Sequence, residues 1–471
     1  MRRTKIVCTI GPASSSRERI ADLIRAGMNV ARLNFSHGSH EEHGHVIDLV
    51  RSVSAELGTR VSVLQDLQGP KIRIGMLVSN PTRLAYGSHL TITTGPLQGT
   101  AEKLTTTYEQ LPDDVHPGDR ILMSDGLVEL RVLSVENRQV QCEVIRGGLI
   151  GERTGLNLPG VEVSAPALTE KDLDDLRFGI EREVDYVAVS FVRRAADVLA
   201  AKRFILEAGS DIPVIVKLEK PEAIANLDAI LEAANGVMVA RGDLGVEVSV
   251  EKVPILQKQI IAKANRRSLP VITATQMLES MVHAETPTRA EASDVANAIL
   301  DGTDAVMLSA ETAIGEYPVE VVETMSRIAQ EAEAAPDSYR IVQLPEDPTG
   351  SYPHVVARAA ANAANQLPAK AIVAITQSGF TPLIVSKYRS RAPIIGVTAS
   401  ERVARRLPLL WNVQGQVVVD RSTELDGILG ACSDLGQQTG LISAGDTVVV
   451  TASATGVPLH GATNLLEVRR L

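Results

Sequence analysis

The stretch from Pro213 to Gly245, PVIVKLEKPEAIANLDAILEAANGVMVARGDLG, constrains the fold more than any other. An apolar run, Val214-Ile215-Val216, ends in Lys217 and Glu219. A helix-compatible segment follows. A second apolar run, Gly236 to Ala240, then ends in Arg241-Gly242-Asp243. Two fully apolar strands joined by a helix are neighbouring units of a parallel α/β structure. Charge at the C-terminal ends of such strands suits a magnesium ion beside an anionic, phosphorylated substrate. The plainer reading is that these are solvated strand ends, so the rest of the chain must decide between the two.

Similar units recur on both sides. Strands are expected at Lys5–Ile10, Asn29–Phe35, Val61–Leu64 (running to Asp66), Asp185–Phe191, Pro270–Thr273 and Asp304–Leu308, with helices between them. Ser14-Ser15-Ser16 offers caps for the first helix, which should run to Ala26. A polar helix should span Ser39–Leu57 and carry His40, His43 and His45 as solvated side chains. Eight β/α units with polar groups at strand C-termini describe a (β/α)8 barrel with its site at that face. A doubly wound sheet is the alternative.

Between the third and fourth units the pattern changes. Residues 69–165 hold short alternating runs such as HLTITT, LVELRVLSV and QVQCEVI, broken by Gly, Pro and Asn-Arg turns. This is an all-β insertion, free to move as a lid on two chain crossings. The barrel is thus discontinuous, residues 1–68 and 166–340, and 341–471 form an open α/β domain. Its strands are expected at Ala371–Thr376, Ile394–Val397, Val417–Val419 and Val448–Thr451.

A net charge of −10 argues against broad binding to nucleic acid but leaves room for a local basic pocket. Three scattered cysteines fit a reducing cytoplasm. No apolar run approaches a membrane span, and the basic start lacks a signal-peptide core.

The motifs TKIVCTIGPAS, ARLNFSHG (31–38), QDLQGPKIR (65–73), LNLPG (156–160), VKLEKPE (216–222), ARGDLGVE (240–247), TATQMLESM (273–281) and MLSAETAIGEYP (307–318) occur in this order. With them the whole chain resembles the pyruvate kinase family. The resemblance implies transfer of the phosphoryl group of phosphoenolpyruvate to ADP, in a cytoplasmic homotetramer. It implies Glu219 and Asp243 as ligands of one Mg2+, a second Mg2+ arriving with the nucleotide, and Lys217 as the charge stabiliser. Backbone N–H groups at Gly242 and Asp243, with the Thr275 hydroxyl, would hold the substrate carboxylate. Arg32 would take the phosphate, steadied by Ser309 and Glu311. Asn34, His37, Arg73 and the lid's Asp125 would face the nucleotide, and a water near Thr275 and Ser309 would protonate the enolate. Outside the motif set, Thr275 and Ser309 read equally well as caps of the helices that follow them.

Two departures stand out. Members that depend on K+ carry Glu where this chain has Lys71. Its ammonium is expected to serve the monovalent-cation pocket of Asn34, Ser36, Asp66 and Leu67, so that K+ is not required. Thr154 replaces a family lysine near the nucleotide, with Arg153 beside it. In the third domain Thr376, Ser378, Gly379 and Thr381 resemble the family's effector phosphate loop; the plainer reading is a strand-to-helix turn. The segment 454–461 lacks the tryptophan of fructose-bisphosphate-activated members, so the expected effector is a sugar monophosphate or a nucleoside monophosphate. A barrel aldolase or lyase acting on pyruvate-type enolates, or a non-catalytic sensor of phosphorylated metabolites, are the competing functions.

Overall fold

The computed structural model describes residues 1–335, 351–453 and 463–471. Eight parallel strands close into a barrel: Lys5–Thr9, Val30–Asn34, Ser62–Asp66, Tyr186–Val189, Val214–Leu218, Gly236–Ala240, Val271–Ala274 and Ala305–Leu308. Each pairs with its sequence neighbours, and the first closes on the eighth through Lys5↔Ala305 to Cys8↔Leu308. The doubly wound alternative is thereby excluded. Barrel strand ends differ from expectation by at most two residues, because pairing partners rather than composition set where a ladder stops.

Local chemistry explains the helices. Ser16 caps Arg17–Ala26 by accepting from the Arg19 N–H, and Gly27, at φ 122°, ends it in a conformation that L side chains rarely adopt. Ser39 with Glu42, Thr169 with Asp172 and Thr288 with Glu291 form capping boxes at three others. The segment after Lys217 is two helices, Pro221–Ala225 and Leu227–Ala233, not one.

Inside the barrel, Val7, Val30, Leu64, Tyr186, Ile215, Met238, Ile272 and Met307 pack as one core, and Leu409 from the third domain joins them. Met277 and Met281, four residues apart, lie in the larger layer between strands and helices. The insertion has its own core and a six-stranded sheet, antiparallel except for the pairing of His89–Thr94 with Lys103–Thr106. One short helix, Leu111–Asp114, was not expected there.

The third domain is a five-stranded sheet ordered Val413–Val418, Ile394–Thr398, Ala371–Ile375, Thr447–Ala452, Leu465–Arg470. The last strand is antiparallel and was not foreseen. Its sequence, LLEVRR, carries no alternation, and it is held by its neighbour, by Leu466 packed on the domain core and by Arg470 on the Gly445 carbonyl. The expected linker after 341 and the segment 454–461 lie outside the described residues.

This domain closes the barrel's N-terminal end. Tyr186 donates its hydroxyl to the Arg406 carbonyl (2.7 Å), and Lys5 Nζ donates to the Val413 carbonyl (2.6 Å). Asp304, at the foot of the eighth strand, accepts the Val271 N–H (2.7 Å) and binds the Lys387 ammonium; Arg389 Nη1 lies 3.0 Å away. All three side chains are buried, and Arg389 stacks on Trp411 at 4.6 Å.

Removing one partner from a buried ion pair leaves the other uncompensated. Asp304→Ala should therefore cost roughly 3–5 kcal/mol. Urea unfolding read through Trp411, the single tryptophan, measures it.

Candidate active site

The eight strand ends converge on one mouth, and a buried carboxylate sits at its centre. Asp66, closing the third strand, is 1% exposed. Its Oδ2 accepts from Arg32 Nε at 2.7 Å. Its Oδ1 lies 3.3 Å from Lys217 Nζ, near enough for an ion pair though without hydrogen-bond alignment. Burial opposes the charge on Asp66, but Lys217 and Arg32 outweigh it and hold the carboxyl below its ordinary range.

Lys217 is itself held on three sides. Nζ donates to Ser190 Oγ (2.7 Å) and lies 3.0 Å from Glu219 Oε1. Ser190 in turn donates to the Leu67 carbonyl (2.7 Å). Desolvation would discharge Lys217, but Asp66 and Glu219 together raise its pKa, so it stays an ammonium at neutral pH. Glu219, 1% exposed, also accepts the Phe191 N–H at 2.7 Å. Burial pushes its carboxyl up, Lys217 pulls it down, and the neighbouring Asp243 pushes it up again. That repulsion marks Glu219 and Asp243 as a pair a hard divalent cation would relieve, with oxygen donors of the right kind. No group of three or more His, Cys, Asp or Glu among the described residues is arranged to hold a metal, so further ligands would come from substrate or water.

Asp243 stands in the first turn of the helix Arg241–Val248, directly after the sixth strand. Arg241 anchors that turn, donating to the Ala274 (3.2 Å) and Thr275 (2.7 Å) carbonyls and pairing with Asp294 (2.7 Å). Thr275 and Gln276 both adopt left-handed backbone, φ 70° and 53°. Thr275 begins no helix, so the capping alternative fails there. Its Oγ1 accepts the Gly242 N–H at 2.7 Å and donates to the Ala274 carbonyl at 2.6 Å. The hydroxyl and one of the expected carboxylate-binding N–H groups are therefore adjacent and, without substrate, satisfy each other.

The expected support of Arg32 by Ser309 and Glu311 is corrected. Arg32 Nη1 donates to Thr9 Oγ1 (2.8 Å), so Thr9 and Asp66 hold it. Glu311 is fully buried and ties together its own loop, accepting the Ser309 (2.6 Å) and Leu278 (3.2 Å) N–H groups. It belongs to the backbone frame, not to the guanidinium. Ser309 makes no side-chain cap to the helix Ala310–Ala313; its Oγ is buried with no partner among the described residues.

Around the mouth, Asn34 Oδ1 accepts the Ser36 N–H at 3.2 Å. Of the histidines expected to be solvated, His45 is exposed, whereas His40 and His43 have one ring face against an aromatic partner. His40 stacks on Phe178 and meets Asp175 at 2.7 Å, while His43 stacks on Phe35 and binds the His37 carbonyl at 2.9 Å. Aromatic partners contributed from other segments were invisible in the helix pattern. His37 itself is exposed; burial, then Arg73, Lys71 and Arg32, hold its pKa down, which places three cations around it.

Arg73 rests on the Arg153 carbonyl (3.0 Å), and Thr154 Oγ1 is turned inward onto the Gly151 carbonyl (2.8 Å). Asp125, at φ 54°, lines a cleft between lid and barrel together with Lys71, Arg241, Gly242 and Asp243. Lys71 makes no ion pair with Asp66; that place is taken by Arg32 and Lys217.

Thr9 and Ser190 were not singled out from sequence. Both sit where motif strands end, and a polar residue finishing an apolar run was the available signal.

In the third domain Gly379, at φ 88°, precedes the helix Phe380–Lys387. Its N–H donates to Thr376 Oγ1 (2.9 Å), and Thr381 is buried against Thr463 at 2.8 Å. Ser378 is left half-buried at the turn.

Comparison with known proteins agrees along the chain. Residues 1–322 match the family model described as pyruvate kinase, barrel domain, and residues 354–469 the one described as pyruvate kinase, alpha/beta domain. A pyruvate kinase of Geobacillus stearothermophilus is 48% identical over 474 residues, and one of Staphylococcus aureus (strain MRSA252) is 47% identical over 476. Each alignment spans 99% of this chain and 80% of the relative. A crystal structure of a pyruvate kinase from Cryptosporidium parvum superposes with a TM-score of 0.92 at 38% identity, covering 100% of this chain and 96% of that one.

The depressed pKa of Asp66 gives a testable sign. Its stabilisation is present above the ordinary aspartate value near ~3.9 and is lost as pH falls through the lower folded value. Asp66→Asn should cost about 3–5 kcal/mol at neutral pH, and the gap from the parent protein should shrink below about pH 4. Denaturant unfolding at the two pH values measures both.

Proposed function

The chain belongs to the pyruvate kinase family, and we propose that the groups gathered around Asp66 carry out that family's reaction at the barrel mouth. It is a phosphotransferase that moves the phosphoryl group of phosphoenolpyruvate to ADP, giving ATP and pyruvate. The observation that carries the site assignment is the Lys217 ammonium, buried, permanently charged and set between Asp66 and Glu219.

On this reading Arg32, aimed by Thr9 and Asp66, receives the phosphate. Lys217 faces the oxygen that becomes an enolate and the phosphoryl group in flight, where fixed positive charge stabilises the transition state most. Thr275 and the Gly242 and Asp243 N–H groups exchange their mutual contact for the substrate carboxylate. The attacking ADP oxygen is already anionic, so no general base is required. The enolate carbon must still gain a proton. Lys217, held charged by two carboxylates, is a poor donor; a water at Thr275 and the unpartnered Ser309 hydroxyl suits the task better.

Members of this family generally use Mg2+. Here Glu219 and Asp243 would hold one ion, and a second would come with the nucleotide. Bound there, Mg2+ supplies positive charge to the substrate oxygens. The nucleotide phosphates would lie between Asn34, His37 and Arg73, with Asp125 brought in as the lid formed by residues 69–165 closes. Arg153 can substitute for the lysine absent at Thr154.

The family usually needs K+ as well; this member does not, on our reading. Three members of the cation pocket already have partners: Asn34 Oδ1 the Ser36 N–H, the Leu67 carbonyl Ser190, and Asp66 two cations. Lys71 adds its charge at the mouth without sitting on Asp66. The left-handed Gly379 turn at a helix N-terminus supports an effector phosphate at Thr376, Ser378, Gly379 and Thr381, from a sugar or nucleoside monophosphate. A cytoplasmic homotetramer completes the proposal. Among the described residues no helix is long and apolar enough to cross a membrane.

Lys217→Met should lower pyruvate formation from phosphoenolpyruvate and ADP by about a thousandfold while substrate binding survives. Calorimetry beside a coupled assay separates the two effects. Full turnover by the variant would overturn the role of Lys217. Replacing K+ by a bulky inert cation should leave the rate within about twofold, since the ammonium groups already in place supply the charge. Strong activation by K+ would sink that reading.

A further inference from the structure

Glu247 is buried at the far end of the helix Arg241–Val248, one turn beyond Asp243 on the same face. Its position is unfavourable for three reasons. Like charges four residues apart on a helix repel. A negative charge at a helix C-terminus opposes the macrodipole. A carboxylate oxygen buried without a donor loses its hydration uncompensated.

Only one of its oxygens is served. Oε1 accepts from Lys220 Nζ (2.7 Å) and from Asn157 Nδ2 (3.0 Å) on the lid strand Leu156–Asn157. Oε2 is buried with no partner among the described residues. Lys220 also lies over the Phe191 ring at 5.9 Å, and the Phe191 N–H binds Glu219. Glu247 is thereby joined to lid, metal pair and barrel at once.

The missing partner is within the same cleft. Lys71, at the root of the lid, lines that cleft with Glu247 and Asp243, and also lines the small cavity shared by Asn157 and Lys220. Among the described residues its ammonium has neither a hydrogen bond nor an ion pair, so a cation without an anion shares the cleft with a carboxylate oxygen without a donor. We propose that Glu247 is a positioning residue for lid closure: Oε1, fixed on the barrel side by Lys220, holds the lid through Asn157, and Oε2 receives the Lys71 ammonium as the lid closes. Closure then places a second cation on the carboxylate that repels Asp243 and fixes the helix that carries both. The inference rests on the pyruvate kinase reading and extends it to how the lid is latched.

A double-mutant cycle tests it on the full-length protein. Lys71→Met is measured in the parent and in Glu247→Gln, with and without K+. Paired charges give non-additive losses. Lys71→Met should lower kcat about tenfold in the parent and less than about threefold in Glu247→Gln, with KM for phosphoenolpyruvate moving less than kcat. A loss at least about threefold larger in the parent supports the latch; any smaller difference overturns it. Rescue of Lys71→Met by K+ to the same extent in both backgrounds also overturns it, while leaving the cation reading of Lys71 standing. If Glu247→Gln does not fold, Glu247→Asp, which keeps a charge for Lys220 but withdraws the free oxygen, takes its place. Absence of pyruvate formation by the parent would instead remove the family reaction itself.

Discussion

One buried carboxylate, Asp66, decides how the barrel mouth is built. Alone it would be costly, since an ion taken out of water loses several kcal/mol of hydration. It is tolerated because Arg32 and Lys217 share it, 2.7 and 3.3 Å away. The same arrangement draws two cations from different strands to one point at the barrel mouth. Their mutual repulsion is offset by the charge between them. Neither cation is free to seek solvent: Thr9 holds the other side of Arg32, and Ser190 and Glu219 hold Lys217. A site assembled this way is preorganised before substrate arrives.

Preorganisation at one end depends on rigidity at the other. Asp304 lies at the foot of the eighth strand, whose upper end leads into Ser309 and Glu311. It is gripped by Lys387 and Arg389 from the third domain, while Leu409 fills the barrel floor. Barrel interiors are packed cores rather than pores, so a side chain inserted from another domain becomes part of the core. The helix that supplies Lys387 begins at Gly379. The turn proposed for the effector and the floor of the barrel are thus ends of one rigid element. The lid, by contrast, has its own core and meets the barrel through polar contacts such as Asn157–Glu247, which rearrange at lower cost than a packed apolar face.

Much of this was legible from residue order. The eight β/α units follow from apolar runs ending in charge, and the all-β insertion follows from the change to period-two alternation. Helix starts were readable where Ser or Thr precedes Glu or Asp by three residues. Lys217, Glu219 and Asp243 announced themselves because charge directly after a buried strand has few structural uses. The misreadings share a cause. Ser309 and Glu311 were assigned to Arg32 from the family resemblance, yet Glu311 spends both oxygens on nearby backbone N–H groups. His43 looks solvated on a polar helix, yet it is half-buried against Phe35, and one face of the exposed His40 lies on Phe178. The strand Leu465–Arg470 had no alternation to betray it, because its place is set by pairing with Thr447–Ala452.

The lysine and two carboxylates of VKLEKPE and ARGDLG were therefore fixed in kind by sequence alone. Strand period and motif chemistry act over a few residues, and those determine which groups reach the barrel mouth. What each group touches there depends on residues 20 to 400 positions away. Only the closed barrel brings Asp66 between Arg32 and Lys217, Thr9 onto Arg32, and Leu409 into the floor. The same long-range folding leaves one oxygen of Glu247 without a partner beside the lid, since no local pattern sets the distance between a lid and a helix from another unit.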